Sequence, residues 1–139
     1  MIPFRLVFQP GISLYEQVVY AAKKALISGQ MRLGDPFPSV RALSKGLKIN
    51  PNTAHKVVNQ LVTEGLLEVR PGIGTVVATP PGSTQKERGR LLEYDLERLV
   101  VEAKHLGVGF DELTTRLNEH WLRLDGLAAD EPATTRRKS

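Results

Sequence analysis

Between Ser13 and Thr63 apolar residues recur at helical spacing in three separate stretches. Leu14, Val18, Ala22, Ala25 and Leu26 share one side of the first, while Glu16, Lys23 and Lys24 lie elsewhere. Ser13 and Glu16 open it as a capping box, and Ser28-Gly29 closes it. The second stretch is shorter, with Ser39 as cap, Val40, Leu43 and Leu47 inward, and Arg41, Lys45 and Lys48 outward. The third runs from about Pro51 to Glu64, with Ala54, Val57, Val58, Leu61 and Val62 inward. Asn50 is a preferred N-cap, and Pro51 suits the first helical position because it needs no N–H there. Only Lys48 and Ile49 separate Leu47 from that cap, so the two helices must cross steeply, as in a helix-turn-helix.

The outer face of the third helix reads Asn52, Thr53, His55, Lys56, Asn59, Gln60 and Thr63. It holds one base and no acid, whereas an ordinary solvated helix mixes both signs. Amides, hydroxyls and a base suit a major-groove reader, because Asn and Gln can bond adenine edges and basic groups can bond guanine or phosphate.

After Gly65 the helical pattern ends. Leu66 to Arg70 reads as a strand, Pro71-Gly72-Ile73-Gly74 as a turn, and Thr75 to Ala78 as the returning strand. Such a hairpin after a helix-turn-helix is a wing. Arg70 at its base and bare backbone at Gly72 and Gly74 would let it approach a duplex closely, although any hairpin turn uses such glycines. Upstream, Phe4, Leu6 and Phe8 alternate with Arg5, Val7 and Gln9, which predicts a short strand broken at Pro10-Gly11.

Two further stripes follow the proline-rich stretch Thr79 to Ser83. Leu92, Leu96, Leu99, Ala103 and Leu106 keep heptad spacing as far as Gly107; Phe110, Leu113, Leu117, Trp121 and Leu124 carry the next helix. Two helices cannot bury such faces alone, so they either fold back or meet the same pair from a second copy. From Gly126 no periodicity remains, which predicts a disordered tail. The fold class expected is mainly α with a small β-wing. Residues 1–79 form a winged helix-turn-helix, 80–84 a linker, 85–125 a two-helix dimerisation region, and 126–139 the tail.

Composition narrows the function. The 139 residues, 41% hydrophobic and 24% charged, allow one compact domain with an appendage. The chain has no cysteine, which excludes disulfides and thiolate chemistry. No apolar run approaches the roughly 18 residues that span a bilayer, and Met1 to Arg5 do not read as a secretory leader, so a cytoplasmic protein is expected. The net charge of +4 is unevenly placed: residues 1–80 hold nine Lys/Arg against four Asp/Glu, residues 81–139 ten against eleven. A polyanion would therefore meet the first half. His55, His105 and His120 show no metal-ligand spacing, Gly72-Ile73-Gly74 is no nucleotide loop, and no paired carboxylates mark a pocket. Neither catalysis, metal nor cofactor is expected. A small effector could lodge beside the C-terminal stripes, but dimer core is the simpler use of those side chains.

Taken in order, Pro38-Ser39-Val40-Arg41, Ile49-Asn50-Pro51-Asn52-Thr53, Glu64-Gly65-Leu66-Leu67 and Gly72-Ile73-Gly74 resemble the GntR family of bacterial transcription regulators. The Asn-Pro-Asn-Thr run, the upstream Leu14-Tyr15-Glu16-Gln17-Val18 and the short C-terminal part resemble its YtrA-like subfamily. The resemblance implies a homodimer that binds a pseudo-palindromic operator in double-stranded DNA and usually represses. It implies DNA contacts at Arg41, at Asn52, Thr53, His55 and Lys56, and at Gly72; Ser39, within the same motif, and Arg70, at the base of the wing, are further candidate DNA-binding residues. Some relatives have arginines where this chain has Pro51 and His55, so their base readout does not transfer. The resemblance also implies dimerisation through the C-terminal pair. A winged-helix adaptor that binds protein instead of DNA is the alternative.

Overall fold

Helix α1 (Leu14–Ile27) starts at the expected cap, where Ser13 Oγ accepts the Glu16 backbone N–H at 3.1 Å. Its inward side buries Val18, Ala22 and Ala25, and Gly29 leaves it with φ 84°. Helix α2 (Val40–Leu47) begins with Ser39 Oγ accepting the Ala42 N–H at 3.0 Å. Helix α3 (Pro51–Thr63) begins with Asn50 Oδ1 accepting the Asn52 N–H at 2.7 Å. Each cap satisfies one of the N–H groups that a first helical turn cannot pair internally. In this computed structural model, residues 2–79 and 82–126 are described.

The three helices enclose a core continuous with the wing. Leu43, Leu61, Leu67, Val18 and Val57 are its largest fully enclosed side chains, each stabilising the fold by roughly 1.5–3 kcal/mol through removal from water. Phe4 and Phe37 stack at its edge, with centroids 6.2 Å apart. The wing pairs β1 (Leu67–Arg70) with β2 (Gly74–Val77) antiparallel, in the register Leu67 to Val77 and Arg70 to Gly74. Gly72, φ 78°, follows Pro71 in a turn closed by Ile73 N–H to Arg70 O at 3.0 Å, an arrangement that requires a positive φ at its third residue. The loop before α2 adds itself to β2: Phe37 N–H bonds Thr75 O at 2.8 Å and Val77 N–H bonds Asp35 O at 2.9 Å.

The N-terminal strand does not form. Phe4 is buried, but Val7 and Phe8 are exposed, and no ladder holds this segment. Instead the buried Gln17 amide clamps it, accepting from Gln9 N–H at 2.6 Å and donating to Gln9 O and Ile12 O at 2.8 and 2.7 Å. One side chain thus satisfies backbone groups that an adjacent strand would otherwise have to pair.

Beyond the wing, Pro80 and Pro81 of the expected linker lie outside the described residues. Thr84, the last linker residue, caps α4 (Gln85–Gly89) with a full capping box to Glu87. A π-helical turn, Arg90–Asp95, then leads into α5 (Leu96–His105), where Leu96 N–H reaches Leu91 O. Tyr94 sits there with the guanidinium groups of Arg90 and Arg98 at 5.3 and 5.6 Å from its ring centre. Gly107, φ 76°, closes α5 with Val108 N–H to Ala103 O and Gly107 N–H to Lys104 O, a Schellman termination. Helix α6 (Phe110–Gly126) follows, so Gly126 ends a helix rather than starting the tail, and 127–139 lie outside the described residues. Of the nine side chains expected at a dimer interface, Ala103 is buried and Leu113 half-buried, while Leu92, Leu96, Leu99, Leu106, Phe110, Leu117 and Trp121 are exposed. No described residue beyond Val77 belongs to the main core cluster.

Candidate nucleic-acid interface

The surface built by α2 and α3 is shaped first by what the helices cannot place there. Burying Leu43 from α2 and Ala54, Val57, Val58 and Leu61 from α3 turns Arg41, Lys45, Asn52, His55, Lys56 and Asn59 outward. Thr53 is half-buried beside them. From Pro36 to Thr63 the chain has no Asp or Glu, yet it carries Arg41, Lys45, Lys48 and Lys56. None of these four cations has an ion-pair or side-chain hydrogen-bond partner among the described residues. The N-terminus of α3 adds the partial positive charge of its aligned peptide groups. A surface with this charge and no internal neutralisation attracts a polyanion.

The side chains singled out from sequence fall into different situations. Ser39 Oγ is engaged as an acceptor in the α2 cap, which leaves its O–H able to donate. Arg41, Asn52 and Lys56 are exposed. The His55 and Asn59 side chains lie one turn apart and meet, His55 Nδ1 to Asn59 Nδ2 at 3.1 Å. Gln60 leaves the outer face: it accepts from Tyr15 O–H at 3.4 Å and donates to Glu64 at 2.6 Å. Glu64 in turn pairs with Lys23 at 2.6 Å, so a polar strap ties the second half of α3 to α1. Burial pushes the Glu64 carboxyl up, but the hydrogen bonds from Lys23 and Gln60 and the Lys23 charge outweigh it, and the net direction is downward.

On the wing, Gly72 sits at the exposed tip, where a side chain would meet nothing within 4 Å. Its neighbour Ile73 is 70% exposed, an apolar tip that the sequence reading passed over. Arg70 is exposed, but its Nε already meets Glu68 Oε2 at 2.8 Å, which partly neutralises it. The acid-free α3 face read from the sequence is part of a longer acid-free run from Pro36 to Thr63, which charge counted by halves of the chain does not resolve. The described residues hold no group of acids and histidines able to bind a metal ion, and no helix among them is long and apolar enough to cross a membrane.

Residues 14–77, which contain α1 to β2, match the model of the bacterial regulatory proteins of the gntR family. The chain is 32% identical over 107 residues to the HTH-type transcriptional repressor YtrA of Bacillus subtilis, covering 76% of this chain and 82% of that one. Its fold is similar to a crystal structure described as a transcriptional antiterminator from Listeria monocytogenes, with a TM-score of 0.78 and 24% identity over 88% of this chain and 92% of that one. It is also similar to YtrA from Sulfolobus acidocaldarius, a GntR-family transcription factor, with a TM-score of 0.54 and 24% identity over 68% and 96% of the two chains. These relatives are transcriptional regulators, not enzymes.

Proposed function

Since the chain belongs to the GntR family of transcriptional regulators and carries its DNA-binding helix-turn-helix, we propose that it is a repressor that binds a pseudo-palindromic operator as a homodimer in the cytoplasm. The observation that carries the DNA reading is the acid-free surface of α2 and α3, with four cations that nothing in the described chain neutralises. A protein-binding adaptor has no use for so one-sided a surface unless its partner is itself strongly acidic.

The exposed stripes of α5 and α6 support dimerisation. Leu99 at 45%, Phe110 at 78% and Trp121 at 68% exposure leave an apolar surface that water would penalise and a second copy would cover. Two copies of α3 would then enter successive major grooves about 34 Å apart. Arg41 and the exposed side chains Asn52, His55 and Lys56 face the duplex, with Ser39 and the wing at Gly72 and Arg70 beside its backbone. Repression is inferred from the Bacillus subtilis relative, which is named a repressor.

Selecting bound sequences from random double-stranded DNA tests this reading. The expected outcome is an inverted repeat whose half-sites lie about one helical turn apart, together with a dimer in sedimentation at micromolar concentration. Enrichment of a single unrepeated site, or a monomer in sedimentation, would overturn the dimeric reading. No enrichment at all would overturn DNA recognition.

A further inference from the structure

We infer that Lys48, in the turn between α2 and α3, is a DNA phosphate contact, an assignment that rests on the DNA-binding reading above. The turn is abrupt: α2 ends at Leu47, and Asn50 already caps α3. To make it, Lys48 adopts φ 58° and ψ 49°, the left-handed region. Every other described residue with positive φ, seven in all, is a glycine. An L-residue enters this region against a steric penalty that glycine escapes, and Asn or Asp is the usual substitute.

Nothing within the described chain explains why a lysine stands there. The turn itself is held by groups any residue would leave intact. Lys48 N–H bonds Ser44 O, Ile49 N–H bonds Ser44 O at 3.0 Å, and Ser44 Oγ donates to Ile49 O at 2.6 Å. Ile49 is buried and anchors the turn to the core. The Lys48 ammonium, by contrast, is exposed and has no hydrogen-bond or ion-pair partner. The position therefore carries backbone strain with no side-chain contact among the described residues to offset it, and strained positions of this kind cluster at functional sites. In a helix-turn-helix the first helix crosses the DNA backbone and the second enters the groove, which sets the turn between them beside the phosphates flanking that groove. Lysine meets such phosphates as a mobile point charge, without reading bases.

The experiment compares the full-length chain with Lys48→Gly and Lys48→Arg on the selected operator and on an unrelated duplex, across a salt series. For Lys48→Gly the expected melting temperature equals or exceeds the parent's, by up to about 5 °C. Its affinity falls by a similar factor, roughly 3- to 10-fold, on both duplexes, and the slope of log K against log salt shrinks by about 0.9. Lys48→Arg keeps the parental slope. An unchanged slope in Lys48→Gly, a loss confined to the operator, or a lowered melting temperature would each overturn the assignment. Parent protein that binds DNA beside a Lys48→Gly variant of equal slope rejects Lys48 alone, whereas a parent that binds no duplex rejects the DNA reading and this contact together.

Discussion

At the scale of single residues, short polar side chains that bond their own neighbourhood set where the helices of the winged unit begin. Ser13, Ser39 and Asn50 each cap a helix two or three residues away, so residue type and position suffice to find them. Replacing Asn50 by alanine should lower stability by about 1 kcal/mol, measurable as a reduced denaturant midpoint with unchanged slope. Gln17 and Gln60 were not legible in the same way, because their partners lie eight and 45 positions off and exist only once the chain has folded. The strap through Gln60 leads to Glu64, whose carboxyl is held below its ordinary value. A depressed carboxylate stabilises the fold above its unfolded pKa, and that contribution is lost as pH falls through the folded value. Glu64→Gln should therefore lower the melting temperature at pH 7, and the gap from the parent should close as pH drops below about 4. A gap that stays constant with pH would show that the Glu64 charge contributes nothing.

Among the elements, α1 to α3 and the wing were legible because their patterns are strong and their turns carry glycine or proline. The exceptions have physical reasons. Alternation from Phe4 to Gln9 describes a strand only if another strand edge lies alongside, and Gln17 occupies that role here. The end of α2 lacks glycine because Lys48 takes the left-handed position. No residue type announces the π turn at Arg90–Asp95, which departs from the even heptad spacing read through it. For binding, the two elements differ in how free their cations are. Arg41→Ala should weaken operator binding by about 1–3 kcal/mol and relax specificity at one position if Arg41 meets a base. Arg70→Ala should cost less, since Glu68 already holds its guanidinium. Titrating both variants against operator and scrambled duplex checks the order, and a larger loss for Arg70 would reverse it.

For the whole molecule, the decisive division is between residues that share the main core, Phe4 to Val77, and helices whose apolar side chains remain in solvent. Sequence periodicity could show that the later helices have an apolar stripe, but not what covers it, because in the proposed dimer that surface belongs to another chain. Removing residues 84–139 should leave a folded monomer that binds the operator at least tenfold more weakly, since paired half-sites no longer act together. Circular dichroism, sedimentation and titration together check this, and undiminished affinity would place dimerisation elsewhere. A last consequence follows from the bonds that fasten Phe37 and Asp35 to β2. They join the wing to the segment leading directly into the Ser39 cap, so the hairpin and the start of α2 are tied by backbone hydrogen bonds into one jaw. In the proposed complex with DNA, such a jaw would favour operators whose intrinsic twist and groove width already match its span, at base pairs that no side chain touches.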